Sequence, residues 1–158
     1  ARVMIPYCGS VYVLRPGQPP EVVYDKATLG PALDPHMSPD GEKIAFVARQ
    51  ELHVLHLADR RVEQLTFGAG GGVTHAVADF LASEEMDRYR GYWWSPDSTN
   101  LAFTEVDERM VPEYPIVHQG EGHVEVEIHR YPFAGARNPT TRLGVVRLGG
   151  GGAVVWMN

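Results

Sequence analysis

The segment Ser38-Pro-Asp-Gly-Glu-Lys-Ile-Ala-Phe46 recurs as Ser95-Pro-Asp-Ser-Thr-Asn-Leu-Ala-Phe103, with positions 38 and 95 lying 57 residues apart. In each copy Pro and Asp set a tight turn, and a strand follows that carries an aliphatic residue, Ala and Phe. A repeated unit of this size cannot bury both its hydrophobic faces alone. It is stable only when stacked against like units. Short strands recurring around a Ser-Pro-Asp turn point to the blades of a β-propeller.

The rest of the chain agrees with that constraint. Twelve prolines and 17 glycines cut the 158 residues into short pieces, most of them rich in the Val, Ile, Tyr, Phe and Thr that favour strands. The clearest predicted strands run over Ser10–Leu14, Lys43–Ala48, Leu52–Leu57, Val62–Phe67, Asn100–Val106, His123–Tyr131 and Leu143–Leu148. Apolar residues in Ile44-Ala-Phe-Val47 and Leu52-His-Val-Leu-His-Leu57 do not alternate cleanly with polar ones. Both faces of these strands are therefore expected to be covered, as they are between neighbouring sheets. The fold class read from the residues is all-β.

Charge and composition narrow the partners. The formal net charge of −6, from 20 acidic and 14 basic residues, provides no basic stripe for a phosphate backbone, so nucleic acid is not an expected partner. No apolar run reaches the ~18 residues of a membrane span, and the first residues lack the pattern of a signal peptide. The chain opens into Arg2-Val-Met-Ile-Pro6 without an initiator Met, as expected of a piece of a longer protein. Its single Cys8 excludes an internal disulfide framework and suits a reducing compartment.

The second repeat exceeds a propeller blade of ~40 to 50 residues, and two insertions account for the excess. The first, Val73 to Arg90, is expected to include a short helix from about Asp79 and carries the adjacent pair Glu84-Glu85. An isolated Glu-Glu is ordinarily a solvated turn. Here Tyr92, Trp93 and Trp94 follow closely, and two carboxylates beside an aromatic cluster can form an anionic pocket for a cationic group. For the three aromatics themselves, wedging between neighbouring blades is favoured over ligand contact. The second insertion, Asp107 to Arg130, is a Pro-, Glu- and His-bearing excursion between two strand-like segments. Loops of this length in a compact domain are usually functional.

Other constellations point to no chemistry. His53 and His56 lie three apart in a predicted strand and so on opposite faces, and no Cys or carboxylate pattern completes a metal site. The runs Gly70–Gly72 and Gly149–Gly152 lack the context of a phosphate loop and are expected to be flexible connections. No Gly-x-Ser-x-Gly elbow surrounds Ser10, Ser38, Ser83, Ser95 or Ser98, so no hydrolase nucleophile is expected here.

In order, the Ser-Pro-Asp-Gly turn, Leu65-Thr66, Glu84-Glu85 and Gly91-Tyr-Trp-Trp-Ser-Pro96 resemble the propeller of the dipeptidyl peptidase IV family of serine exopeptidases, which belong to the prolyl oligopeptidase-like enzymes. Further similarity lies in Glu105-Val-Asp-Glu108, Val111-Pro-Glu-Tyr-Pro115 and Arg130-Tyr-Pro-Phe-Ala-Gly-Ala-Arg-Asn-Pro139. Met86-Asp-Arg-Tyr89 and Gly91 look closest to the bacterial members and to the cytosolic dipeptidyl peptidases eight and nine. The resemblance implies about three blades of an eight-bladed propeller that caps an α/β-hydrolase domain absent from this chain. It implies that the parent protein is a hydrolase releasing Xaa-Pro or Xaa-Ala dipeptides from peptides with a free N-terminus, without a cofactor, and that this chain alone is inactive. Glu84 and Glu85 would grip the substrate α-ammonium, and Arg2, by its place upstream of Ser10–Leu14, would help hold a substrate carbonyl.

An ammonium offers three donors, and each charge-assisted bond to a carboxylate contributes ~1.5 to 3 kcal/mol. The two carboxylates repel each other, a strain that an incoming cation relieves. Such a site measures two residues from the chain end and refuses a blocked terminus.

The Asp107 to Arg130 excursion corresponds, by resemblance, to an arm that helps form a dimer, with apolar surface around Val111–Val117. Blade boundaries are expected at 1–32, 33–72 and 73–148, with 149–158 starting the next strand or blade. An excised arc with raw faces is expected to self-associate. The competing function class is a non-catalytic propeller scaffold for protein binding.

Overall fold

The computed structural model describes residues 2–120 and 122–157. Three antiparallel sheets follow one another along the chain. The first has the order β1 (Val3–Tyr7), β2 (Ser10–Leu14), β3 (Glu21–Tyr24). The second runs β4 (Leu33–Met37), β5 (Lys43–Ala48), β6 (Glu51–His56), β7 (Val62–Gln64). In the third, β10 (Asn100–Asp107) is central. On one side it pairs with β13 (Thr140–Arg147), which in turn pairs with β14 (Val154–Trp156). On its other side β10 pairs with β8 (Val73–His75) and β9 (Tyr92–Trp94) in succession. The helix α1 (Phe80–Glu85) lies between β8 and β9 in the chain, and β11 (Glu113–Gln119) and β12 (Val124–Arg130) form a separate two-stranded hairpin.

Stacking explains why the apolar residues of β5 and β6 do not alternate with polar ones. Ile44, Phe46, Ala48, Leu55 and Leu57 pack with Val11, Val13, Val23 and Tyr24 of the first sheet. Ala45, Val47, Leu52, Val54 and Leu65 pack the other way, with Tyr92, Leu101, Phe103 and Val146 of the third. The middle sheet is thus apolar on both faces because it is a core on both faces. Burying each large side chain contributes ~1.5 to 3 kcal/mol, and Phe46 and Phe103, the matched aromatics of the repeat, are both fully buried.

The repeated turns match atom for atom. The Ser38 hydroxyl donates to Asp40 at 2.5 Å and accepts from the Lys43 amide at 3.0 Å. The Ser95 hydroxyl donates to Asp97 at 2.5 Å and accepts from the Asn100 amide at 2.9 Å. The two turns also touch, since the Asp40 amide donates to the buried Ser98 hydroxyl at 3.0 Å.

All seven strands singled out in the sequence are present, with ends displaced by a few residues. Strand β4 escaped that reading because Pro35 interrupts it. The register shifts between Leu33 and His36, the kind of edge irregularity that accommodates a proline. The second insertion is more ordered than an excursion, for β11 pairs with β12 along its whole length. Gly149–Gly152 is a packed turn between β13 and β14. The Gly149 amide donates to Glu63 at 2.7 Å, and a Cβ on Gly152, whose φ is +78°, would stand 2.6 Å from the Phe67 ring.

Candidate functional site around Glu84 and Glu85

The insertion that carries the acidic pair leaves and rejoins the same sheet edge. Phe103 pairs with Tyr92 of β9, and Glu105 pairs with His75 of β8. Thr104, between them, accepts the Ala76 amide at 2.8 Å and donates its own amide to the Gly91 carbonyl at 2.8 Å. A bridge between Val77 and Arg90 closes the neck. Residues 77 to 90 therefore project from one narrow base.

Within the insertion, Asp79 caps α1 by accepting the Ala82 amide at 3.1 Å. Ala82 is the helix residue buried beneath it. A six-residue helix is too short to be stable alone, so capping and anchoring decide whether it forms. Arg88 supplies part of that anchoring, donating to Asp79 at 3.5 Å and to the Arg90 carbonyl at 3.0 Å. Arg90 reaches the bulged strand of the second sheet, 3.2 Å from His36 Nδ1 and 3.8 Å from Asp34 Oδ2.

Both arginines that could neutralise the acidic pair are thus turned to other partners. Glu84 and Glu85 are exposed, and neither carboxylate makes a side-chain hydrogen bond or ion pair among the described residues. The arrangement presents two adjacent negative charges at the end of a held helix. Chemically, two adjacent carboxylates can accept hydrogen bonds from a cation with several donors.

Behind the outgoing leg lies a cavity of about 340 Å³ lined by Asp34, Asp87, Arg88, Tyr89, Arg90 and Trp93. The three successive aromatics divide their roles here. Tyr92 is buried between sheets, its phenol against the carbonyls of Ala45, at 2.9 Å, and Asp34. Trp94 donates its indole N–H to the His36 carbonyl at 3.3 Å. Trp93 alone of the three lines the cavity. Near the base of the insertion, burial pushes the Glu108 carboxyl above its ordinary value, and the Asp79 carboxylate adds to the rise against the pull of Arg130.

Arg2 lies elsewhere in the described structure. Its guanidinium donates to the Gly41 carbonyl at 2.9 Å and pairs with Glu42 at 3.3 Å, on the Ser-Pro-Asp turn of the second sheet. Nothing in these contacts brings it to Glu84 or Glu85. His53 is buried against Phe46 with Nδ1 at 2.9 Å from the Glu51 carbonyl, while His56 faces Glu63 at 3.0 Å.

Sequence reasoning missed a buried polar chain between the second and third sheets. His75 stands between Glu51 Oε2, at 2.7 Å, and Glu105 Oε2, at 2.9 Å. Glu51 also accepts the Thr66 hydroxyl at 2.6 Å, which explains the Leu-Thr after β7. Glu105 takes both arms of Arg142, at 2.6 and 3.0 Å, and that guanidinium lies 3.6 Å over the Trp156 ring. These residues lie on different strands, so only the folded register shows that they meet.

Stacked antiparallel sheets of three, four and five strands, with an insertion on a strand edge, define an arc of a β-propeller. The family model described as the dipeptidyl peptidase IV (DPP IV) N-terminal region matches residues 9–158, and the chain belongs to that family. It is 33% identical over 119 residues to a probable dipeptidyl-aminopeptidase B of Emericella nidulans, covering 67% of this chain and 13% of that protein. It is 30% identical over 115 residues to dipeptidyl peptidase 4 of Felis catus, covering 70% of this chain and 15% of that protein. The crystal structure of Porphyromonas gingivalis dipeptidyl peptidase 4 superposes with a TM-score of 0.81 at 25% identity, over 98% of this chain and 23% of that one. The chain therefore spans less than a quarter of each of these relatives.

Proposed function

We propose that this chain is the substrate-gating propeller region of a serine dipeptidyl peptidase that removes Xaa-Pro or Xaa-Ala dipeptides from free peptide N-termini. The observation that carries the reading is the pair Glu84 and Glu85, exposed and unneutralised while Arg88 and Arg90 are engaged by Asp79, Asp34 and His36. In this reading the three sheets are successive blades, at 1–32, 33–72 and 73–148, with 149–158 starting the next strand, β14, which pairs back onto β13. The first strand of a blade lines the central channel, so an insertion on the β8–β9 edge projects towards substrate. The carboxylates receive the three N–H donors of the α-ammonium, which fixes the scissile bond two residues away. The nucleophile belongs to a hydrolase domain elsewhere in the parent protein, and this chain alone is inactive. Arg2 is assigned a supporting role at a substrate carbonyl, which requires it to leave Glu42.

Because the donor is an α-amine with an ordinary pKa of about 7.7 to 8.0, KM should rise as pH climbs past that range. The direct test uses the parent protein and a Gly-Pro chromogenic amide, free and N-acetylated. Wild type should cleave only the free substrate, and Glu84→Gln/Glu85→Gln should lose most of that activity. Equal cleavage of the acetylated amide would remove the carboxylates from this role, and no cleavage by folded wild type would favour a binding scaffold.

A further inference from the structure

Internal bonds fix the shape of the insertion, but its attitude to the sheet depends on contacts that reach outside it. One is Arg90 at the outgoing leg, held by Asp34 and His36 of the second sheet. Another is at the start of the helix, where the Phe80 ring meets Tyr131 with centroids 5.2 Å apart. Tyr131 follows β12 directly and is itself fixed at the hairpin's root. Its amide donates to the Pro112 carbonyl at 2.9 Å, and its ring meets Phe133 at 4.8 Å, which in turn meets Tyr114 of β11 at 5.5 Å. Phe80, Tyr131, Phe133 and Tyr114 thus form a continuous line of tilted and edge-on rings from the acidic helix to the β11–β12 hairpin.

Phe80 and Glu84 are four residues apart and share a helix face, separated by about 6 Å along the axis. Phe80 and Glu84 belong to the same six-residue helix, a single hydrogen-bonded turn apart, so a shift of Phe80 moves the turn that carries Glu84. Groups that recognise a ligand by charge and direction must be held to within roughly 0.5 Å. We infer that Phe80 and Tyr131 are positioning residues for the Glu84-Glu85 pair, and that the root of the hairpin sets the placement of the substrate ammonium. This rests on the ammonium role of the pair. The two rings act through the placement of the pair, so the effect belongs to binding, not to the chemical step.

The test is steady-state kinetics of the full parent protein with the free Gly-Pro amide. Phe80→Ala and Tyr131→Ala should each raise KM by about three- to tenfold, the scale of one aromatic pair, with kcat changed less than about twofold. Tyr131→Phe keeps the ring and should restore wild-type KM. Phe80→Ala/Tyr131→Ala should be no worse than either single variant, because both remove the same contact. An unchanged KM in the single alanine variants would overturn the inference, as would equal falls in kcat and kcat/KM or additive effects in the double variant. Glu84→Gln/Glu85→Gln in the same series separates the two ideas. If it raises KM while Phe80→Ala does not, only the positioning role fails; if it leaves KM unchanged, the ammonium role has failed first.

Discussion

His75 has a carboxylate oxygen at each ring nitrogen, Glu51 on the second sheet and Glu105 on the third. The three residues thus form a buried polar bridge between sheets. Without His75, Glu51 keeps the Thr66 hydroxyl and Glu105 keeps Arg142, but each carboxylate loses one buried hydrogen-bond partner, a loss of about 1 to 3 kcal/mol. We predict that His75→Gln lowers stability by about 1 to 3 kcal/mol at neutral pH, read by urea unfolding with tryptophan fluorescence. The pH dependence has a definite sign. The Arg142 hydrogen bonds, aided by His75, hold the Glu105 carboxyl below its ordinary 4.5 against the upward push of burial. A carboxyl depressed in the folded state stabilises the fold fully above its unfolded value, and that contribution is lost as pH falls through the folded value. Stability should therefore decline below about pH 4.5, and Glu105→Gln should flatten that decline while lowering stability at pH 7.

At the level of elements, the neck of the acidic insertion depends on Gly91. A Cβ placed there would lie 2.3 Å from the Ala76 carbonyl carbon, which is backbone that cannot step aside. Gly91→Ala must part the two legs where Thr104 holds both. We predict a loss of about 1 to 3 kcal/mol, typical of overpacking, seen as a lower melting temperature together with a raised KM for the free amide. Strand β9 illustrates how one element serves two ends. Tyr92 and Trp94 lock it to the second sheet, and Trp93 turns to the cavity beside the insertion.

At the scale of the whole molecule, several apolar surfaces stand open among the described residues, and two of them bear on assembly. The outer face of the first sheet exposes Val3, Ile5, Tyr7 and Val22, and the hairpin exposes Tyr114, Val117, Val124, Val126 and Ile128. Exposed apolar area on this scale marks an interaction surface. The chain by itself should self-associate through the first-sheet face, and a sharp monomer by light scattering at high concentration would count against this. In the parent protein we assign the hairpin to a homo-oligomer contact around Val111–Val117. Deleting Val111 to Gly122 should shift a dimer towards monomer in analytical ultracentrifugation; an unchanged dimer would remove the assignment.

The all-β class, the repeated turn, the double-sided middle strands and the helix start at Asp79 can be read from the residues without coordinates. Each of these is a local signal, set by turn chemistry, capping or side-chain period within a few residues. Glu84 and Glu85 stand out in the same way, because two adjacent carboxylates ahead of Tyr92-Trp93-Trp94 are a local pattern too. Strand β4, hidden by Pro35, and the pairing of β11 with β12 needed partners that no local window contains. Folding brings about the rest: Arg88 and Arg90 turn away from the acidic pair, Phe80 rests on Tyr131, and His75 joins Glu51 to Glu105. These contacts join residues 9 to 56 positions apart. Their formation depends on strand register and sheet stacking, which the identity of the residues does not specify one at a time.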